Sequence, residues 1–328
     1  MESLSESISR LAAALTPPPD DGMKPFVYPS PKYPLKERLS ISFSGGKTSA
    51  YMTKMLLNHF RKHDPWREIV VTFANTGCEH EETLKFVERC DKAFGFGVVW
   101  LEAVVDPRKG KGIRHKIVSF ETAARNGEPF EAYIAKHGIP NRMYNQCTSR
   151  LKTEPMDSFR ASLGWKKGTF STAVGIRADE IDRVSLTGMV KWNLFYPCVD
   201  AGVTKADVRE WWLTQDFNLN IPEHLGNCVW CWKKSNRKLL TIAKNHPKFF
   251  EFPKHMEATY ALAGGERKDG EARKPRMFFR GEKTAVDLLL EAQGDFIPFE
   301  DDKFIPFDDA LDVGGACGDS CEIGADED

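Results

Sequence analysis

No stretch of apolar residues in this chain approaches the roughly 20 that a membrane-spanning helix needs. The opening MESLSESISRLAAALTPPPDDG also lacks the basic start and cleavage pattern of a secretory signal. Both absences predict a cytoplasmic protein with no membrane partner. Eight cysteines in such a chain argue against a disulfide framework and for metal, cluster or thiol chemistry at some of them. Internal repeats are missing as well. So is any strong net charge: 46 Lys and Arg nearly balance 47 Asp and Glu, leaving −1.

The balance hides a local asymmetry. From Cys231 to Lys283 there are 14 basic residues against six acidic ones, whereas from Asp295 to Asp328 12 acids face one lysine. The basic stretch, next to Trp230 and Trp232, suits a nucleic-acid phosphate backbone; two helices with solvated faces would have much the same composition. The acidic end reads as solvated, apart from whatever Cys317 and Cys321 anchor. At 328 residues, 41% hydrophobic and 28% charged, the chain has the make-up of a globular protein with one large domain or two smaller ones.

One further absence decides a motif. LSISFSGGKTSAYMTKMLL, residues 39–57, resembles a Walker phosphate loop, but that loop needs a glycine where this chain has Ile41, inside an apparent strand. The alternative is a strand (Leu39, Ile41, Phe43), a tight turn (Ser44-Gly45-Gly46) and a helix carrying Tyr51, Met52, Met55 and Leu56 at helical spacing. Free N–H groups at the helix start, its dipole and Lys47 make an anion site there, which predicts phosphate binding over Ser44, Gly45, Gly46, Lys47, Thr48 and Ser49.

Strands and helices then alternate. EIVVTFANTG, GVVWLEAVV and GTFSTAVGIR read as strands, EETLKFVERCDKAFG and TKADVREWWLTQ as helices, the latter with Thr204 as N-cap. Residues 106–114 read as a basic insertion, followed by helical segments around Phe120 and from Phe130 to Ala135. This order predicts an α/β fold with a doubly wound, mostly parallel sheet. After Ile221 only helical patterns remain. The expected organisation is a leader at 1–36, with a short amphipathic segment and a proline-rich run, an α/β nucleotide domain at 37–220, a helical cysteine-containing module at 221–294 and an acidic tail at 295–328.

Four more clusters carry chemistry. Asn75, Gly77 and Glu82 follow the second strand at the same sheet edge as the first loop, although acids in a first helical turn, Glu81 and Glu82 here, are often only dipole complements. After a later strand come Gly175, Arg177, Asp179, Glu180 and Arg183, a set that can clamp phosphates or hold Mg²⁺, or can form a salt-bridged surface turn. Cys147 stands near Arg150 and Lys152, cations that favour a thiolate, as ligand or nucleophile. Cys228 and Cys231 form a C-x-x-C that suits half a zinc site, part of an iron–sulfur cluster or a redox dithiol. The second C-x-x-C of a zinc ribbon is missing, so Cys147, Cys317 and Cys321 are the thiols left to complete a four-ligand site. Cys90 and Cys198 read as core residues, and Cys78 fits either role.

FSGGKTS, ANTGCEHEETLKFV, CTSRLKTEP and GIRADEIDR, in that order, resemble the phosphoadenosine phosphosulfate (PAPS) reductase-like branch of the PP-loop, or adenine nucleotide α-hydrolase-like, superfamily over roughly residues 38–240. The likeness is nearest to its phage and bacterial members and to the sulfur-inserting proteins of DNA phosphorothioation. It implies ATP, or PAPS as substrate, on the Ser44–Ser49 turn, with Mg²⁺, and catalytic roles for Lys47, Cys147 and Lys152. Thr48 stands where PP-loop ATP pyrophosphatases usually have aspartate. The Glu-Cys-Gly-Leu-His of sulfonucleotide reductases is missing, as are the paired adjacent cysteines of adenylylsulfate reductases. Similarity to the sulfur-inserting members implies a [4Fe–4S] cluster, or zinc, on Cys147, Cys228, Cys231 and Cys321. The expected activity is ATP-dependent adenylylation followed by sulfur insertion, with a nucleic-acid acceptor, a sulfur donor protein and a homo-oligomer as partners it allows. The alternatives are reduction of PAPS or adenylylsulfate, and a non-enzymatic nucleotide- or nucleic-acid-binding module with a structural metal.

Overall fold

Leu39, Ile41 and Phe43 alternate with serines, a pattern that usually marks a strand with one wet face. In the computed structural model, which describes residues 22–264 and 274–301, this segment is β1 (Arg38–Ser42), and both faces are covered. Leu39, Ile41 and Phe43 enter the main hydrophobic cluster. On the opposite face Ser40 accepts a 2.9 Å hydrogen bond from the buried Arg160 guanidinium. A strand enclosed on both sides belongs at the centre of a parallel sheet.

Five strands join it: β2 (Ile69–Asn75), β3 (Val98–Val105), β4 (Ile113–Val118), β5 (Phe170–Ala173) and β6 (Leu194–Phe195). Their order is β4-β3-β2-β1-β5-β6, parallel throughout except for the antiparallel β3–β4 pair. The doubly wound, mostly parallel sheet is therefore present. Two strands escaped the sequence reading. β4 occupies most of the segment after the basic insertion; it is an edge strand whose Arg114, His115 and Lys116 obscure any alternation. β6 has two residues, too few to show a period. The helix expected around Phe120 does not form, and residues 119–127 make turns.

The chain runs from β1 outward through β2 to β3, then returns to the other side of β1 with β5. The strand order thus reverses between β1 and β5, and open α/β sheets bind ligands at the carboxyl ends of such a switch point. On one face, helix α1 (Lys47–His63), helix α2 (Glu81–Phe94) and the tryptophan pair Trp211–Trp212 share the main cluster with Phe43 and Phe73. Each large side chain fully buried there contributes about 1.5–3 kcal/mol. On the other face a helix, Glu154–Ser162, crosses β2, β3 and β4. Thr204 caps the helix carrying the tryptophan pair through a reciprocal box with Asp207.

Beyond Ile221 the described residues are helical, chiefly Asn236–Asn245, Glu251–Tyr260 and Ala285–Glu291. They build a second cluster with Phe130, Tyr133 and Ile134 of the helix Glu128–His137, with Leu151, and with Cys78 at the sheet edge. Trp230 and Trp232, 2% and 5% exposed, lie inside it, and Trp230 stacks on Phe252 with ring centroids 5.3 Å apart. Neither tryptophan is available to stack on a base. Residues 1–21 and 302–328, with Cys317 and Cys321, lie outside the described residues.

Candidate nucleotide and thiol site

The turn after β1 is held by serines. Ser44 N–H donates to Ser49 Oγ at 3.2 Å, the two hydroxyls are 2.9 Å apart, and Ser49 Oγ–H donates to the Gly46 carbonyl at 3.0 Å. Gly45 has φ +83°, and a Cβ on it would lie 2.8 Å from Thr83 Cγ2 and 3.2 Å from the Phe73 ring. Only glycine satisfies both the left-handed backbone and the contact with α2. Gly46 is the N-cap of α1 and has no side chain with which to cap it. A helix start of this kind favours an anion.

Across the switch point, Arg177 reaches back from beyond β5. Its buried guanidinium donates to Thr48 Oγ1 at 3.1 Å and to Asp179 at 3.2 Å, and it forms an ion pair with Glu180 at 3.4 Å. Gly175 is buried in the segment leading to it. Burial alone would raise the Asp179 carboxyl, but the hydrogen bonds and charge of Arg177, with the Lys205 N–H, outweigh it and hold the group below its ordinary pKa. Glu180 is further engaged by Arg183. Both acids that the sequence offers for Mg²⁺ are thus paired within the chain. Lys47, half-buried, opens α1, and its carbonyl accepts a 3.0 Å hydrogen bond from the Trp212 indole.

At the end of β2 the predicted residues divide. Asn75 is structural: its amide donates to Glu102 Oε1 at 2.8 Å and to the Ala124 carbonyl at 2.9 Å, tying β2 to β3 and the following loop. Gly77 (φ +80°) lies where a Cβ would be 2.9 Å from Gly127. Glu82 pairs with Lys85 at 2.7 Å on the partly exposed side of α2, and Glu81 pairs with Arg125. The carboxylate that turns inward is Glu79. Its side chain is 2% exposed, accepts hydrogen bonds from Thr76 N–H (3.0 Å), Thr76 Oγ–H (2.9 Å) and Cys78 N–H (3.2 Å), and stands 4.0 Å from Lys152 Nζ. NTGCEHEE offers three glutamates within four positions, and nothing in their spacing shows which one is buried.

Glu79 also pairs with the thiol segment as an isolated antiparallel bridge to Cys228, reinforced by Val229 N–H to the Cys78 carbonyl at 3.0 Å. Thr76 Oγ1 lies 3.5 Å from Cys228 Sγ. As a result Cys147, Cys228 and Cys231 line one small cavity of about 20 Å³ together with Thr76, Lys152 and Trp230. Cys147 opens a helix whose next residues, Ser149–Thr153, form a π-helical turn, an irregularity frequent at functional sites. Cys90 and Cys198 are fully buried in the main cluster, as expected of core residues. Cys78 is buried beside the cavity, and burial, then the neighbouring Cys228 and Glu79, push its thiol well above the ordinary pKa.

With the glycine turn, an arginine across the switch point and the fold itself in place, comparison with known proteins identifies part of the chain. The model of the phosphoadenosine phosphosulfate reductase domain matches residues 38–195. These residues are a phosphoadenosine phosphosulfate reductase domain. The chain is also 29% identical, over 290 residues, to the uncharacterized nin region protein ORF290 of Escherichia phage lambda, which covers 86% of this chain and 94% of the relative. That likeness extends well beyond the PAPS reductase domain. Two uncharacterized proteins of Methanocaldococcus jannaschii are similar over shorter spans: 30% identical over 38% of this chain and 20% of the relative, and 25% over 65% and 46%. The chain spans less than half of either archaeal protein.

The matched domain is of a nucleotide-using family that is enzymatic in general, and the glycine turn expected after the first strand is present. The metal expectation fits less well. The cavity between the three thiols holds about one water molecule, not a four-iron cluster, and among the described residues no group of three or more His, Cys, Asp and Glu side chains converges to hold a metal ion. Cys321 lies outside the described residues. No helix among the described residues is long and apolar enough to cross a membrane.

Proposed function

We propose that this chain is a cytoplasmic, adenine-nucleotide-dependent sulfur-transfer enzyme, with a nucleotide at the turn after β1 and the sulfur handled by the thiols at the end of β2. The observation that carries this reading is the cavity itself: cysteines from two distant parts of the chain, 147 and 228/231, open onto one space beside Lys152, at the sheet edge that also carries the Gly45–Gly46 turn.

The Ser44–Ser49 backbone, Lys47 and Arg177 hold the phosphates of ATP and stabilise charge developing on them. An acceptor oxygen attacks the α-phosphorus and pyrophosphate leaves. The terminal sulfur of a persulfide on one cavity cysteine then displaces AMP, giving an acceptor–S–S–cysteine. A neighbouring thiolate attacks that cysteine's sulfur, closing a protein disulfide and releasing the thiolated acceptor. A dithiol reductant and a sulfur donor reset the pair. Lys152, 10% exposed, supplies positive charge next to the reacting thiols.

The test is release of pyrophosphate from ATP by protein loaded with sulfane sulfur, alongside iron and acid-labile sulfide content after anaerobic purification. Pyrophosphate formation lost in Lys47→Ala, and sulfane sulfur lost in Cys228→Ser, support the scheme. Iron and sulfide at cluster stoichiometry would replace the persulfide with a cluster on Cys147, Cys228 and Cys231. Sulfite release from PAPS or adenylylsulfate, with ATP inert, would overturn the scheme in favour of a reductase.

A further inference from the structure

The described part of the basic stretch 231–283 does not form one surface. Lys234 is buried and donates to the Gly226 and Cys228 carbonyls, both at 2.7 Å. Lys238 is buried against Glu223 at 3.3 Å. These cations hold the cysteine segment in place. Three others, Lys274, Arg276 and Arg280, turn to a different side and meet Arg142, which comes from the loop just before Cys147. Together they line a cavity of about 870 Å³, in which Glu282 is the one carboxylate among the described lining residues.

The groove has aromatic and polarizable groups as well as charge. Arg276 lies over the Tyr144 ring at 3.6 Å, and Tyr144 and Met143 are exposed to 48% and 82%. The Arg280 Nη1 is buried and has no hydrogen-bond partner among the described residues. A buried guanidinium N–H without an acceptor costs about 1–3 kcal/mol, a cost that an anionic ligand relieves. The groove also adjoins the thiol cavity from both sides. Arg280 Nη2 donates to the carbonyl of Lys233, which lines that cavity, and Tyr144 is three residues from Cys147.

We infer that this groove binds a single-stranded nucleic acid and delivers it to the thiol cavity, making the strand the sulfur acceptor. The inference rests on the sulfur-transfer reading for its second half only. Among the described lining residues, four cations against one carboxylate match a run of phosphates, and an exposed tyrosine beside them offers a stacking platform for an unpaired base. A duplex keeps its bases inside and leaves Tyr144 and Met143 without a role.

The test is fluorescence anisotropy of labelled 20-nucleotide single-stranded RNA and DNA with the full-length protein, without added nucleotide, from 50 to 200 mM salt. Binding of at least one strand is expected. Each phosphate contact on a single strand contributes about 0.7 to the log–log salt slope, so four contacts give about −3. The double variant Arg142→Glu/Lys274→Glu changes two exposed residues. It is expected to weaken binding at least tenfold and to flatten the slope by about half. The control Lys62→Glu/Lys166→Glu, with the same charge change elsewhere on the surface, is expected to bind as the unaltered protein does. Equal loss in both double variants, no strand binding at 50 mM salt, or tighter binding to duplex than to single strands overturns the inference. Strand binding without pyrophosphate release from ATP would sink the sulfur-transfer reading and leave the groove standing. ATP binding without strand binding would do the reverse.

Discussion

Arg177 donates to Thr48 Oγ1 at 3.1 Å across the point where the strand order reverses. The contact joins the residue that replaces the usual PP-loop aspartate to a guanidinium from the far side of the switch point, so positive charge is built into the site where a carboxylate would have gathered a cation. Thr48→Val leaves a buried guanidinium N–H without its acceptor and is expected to lower the unfolding free energy by about 1–3 kcal/mol, whereas Thr48→Ser keeps the oxygen. Urea denaturation of the three proteins measures the difference. If the valine and serine variants are equally stable, the contact contributes nothing.

Nucleotide affinity should follow Arg177 itself. Arg177→Ala is expected to weaken ATP binding at least tenfold, about 1.4 kcal/mol, read by titration calorimetry. An unchanged dissociation constant would remove Arg177 from the phosphate site.

Gly45 and Gly97 both have left-handed backbones, φ +83° and +67°, but only Gly45 would place a Cβ against neighbours, 2.8 Å from Thr83. Alanine at either position carries about 1–2 kcal/mol of backbone strain. Gly45→Ala adds a steric clash at the phosphate turn. It is expected to lower the melting temperature more than Gly97→Ala and, unlike it, to abolish ATP binding.

His137 gives the protein an acid sensitivity. Burial, then the charges of Arg150 and Lys136, bring its pKa down to about 4 from 6.5, and its ring stacks on Tyr133. Between pH 6.5 and 4 the unfolded chain binds the proton that the folded chain excludes. Stability is therefore full above pH 6.5 and is lost as the pH falls through that window. The His137→Gln variant should show a flatter dependence of the urea midpoint on pH between 6.5 and 4.5; an identical slope would refute the assignment.

Thiol reactivity should follow burial. Cys147 is half-buried, whereas Cys90 and Cys198 are 0% exposed, and burial pushes the Cys90 thiol far up. Brief iodoacetamide treatment of native protein, followed by peptide mass analysis, is expected to label Cys147 before either of them. Early modification of Cys90 would mean that the main cluster opens readily.

The sheet, the glycine turn and the first four or five elements were legible because local rules generate them. Alternation at Leu39, Ile41 and Phe43, the Ser44-Gly45-Gly46 bend and the Thr204 capping box all act within a few residues. β4 and β6 were not legible. One is an edge strand whose polar residues obey solvent rather than period, and the other is too short to have a period.

What the sequence by itself determined was the order of the first strands and helices, from β1 to β3, and the position of the glycine turn after β1, since both follow from the spacing of apolar residues and glycines. Only the tertiary structure decided which polar residues share a site. It brought Cys147 beside Cys228 and Cys231, chose Glu79 over Glu81 and Glu82, buried Trp230 and Trp232, and split one basic stretch into structural lysines and a groove. Such choices depend on burial and on contacts between segments far apart in the chain, and no local spacing records them.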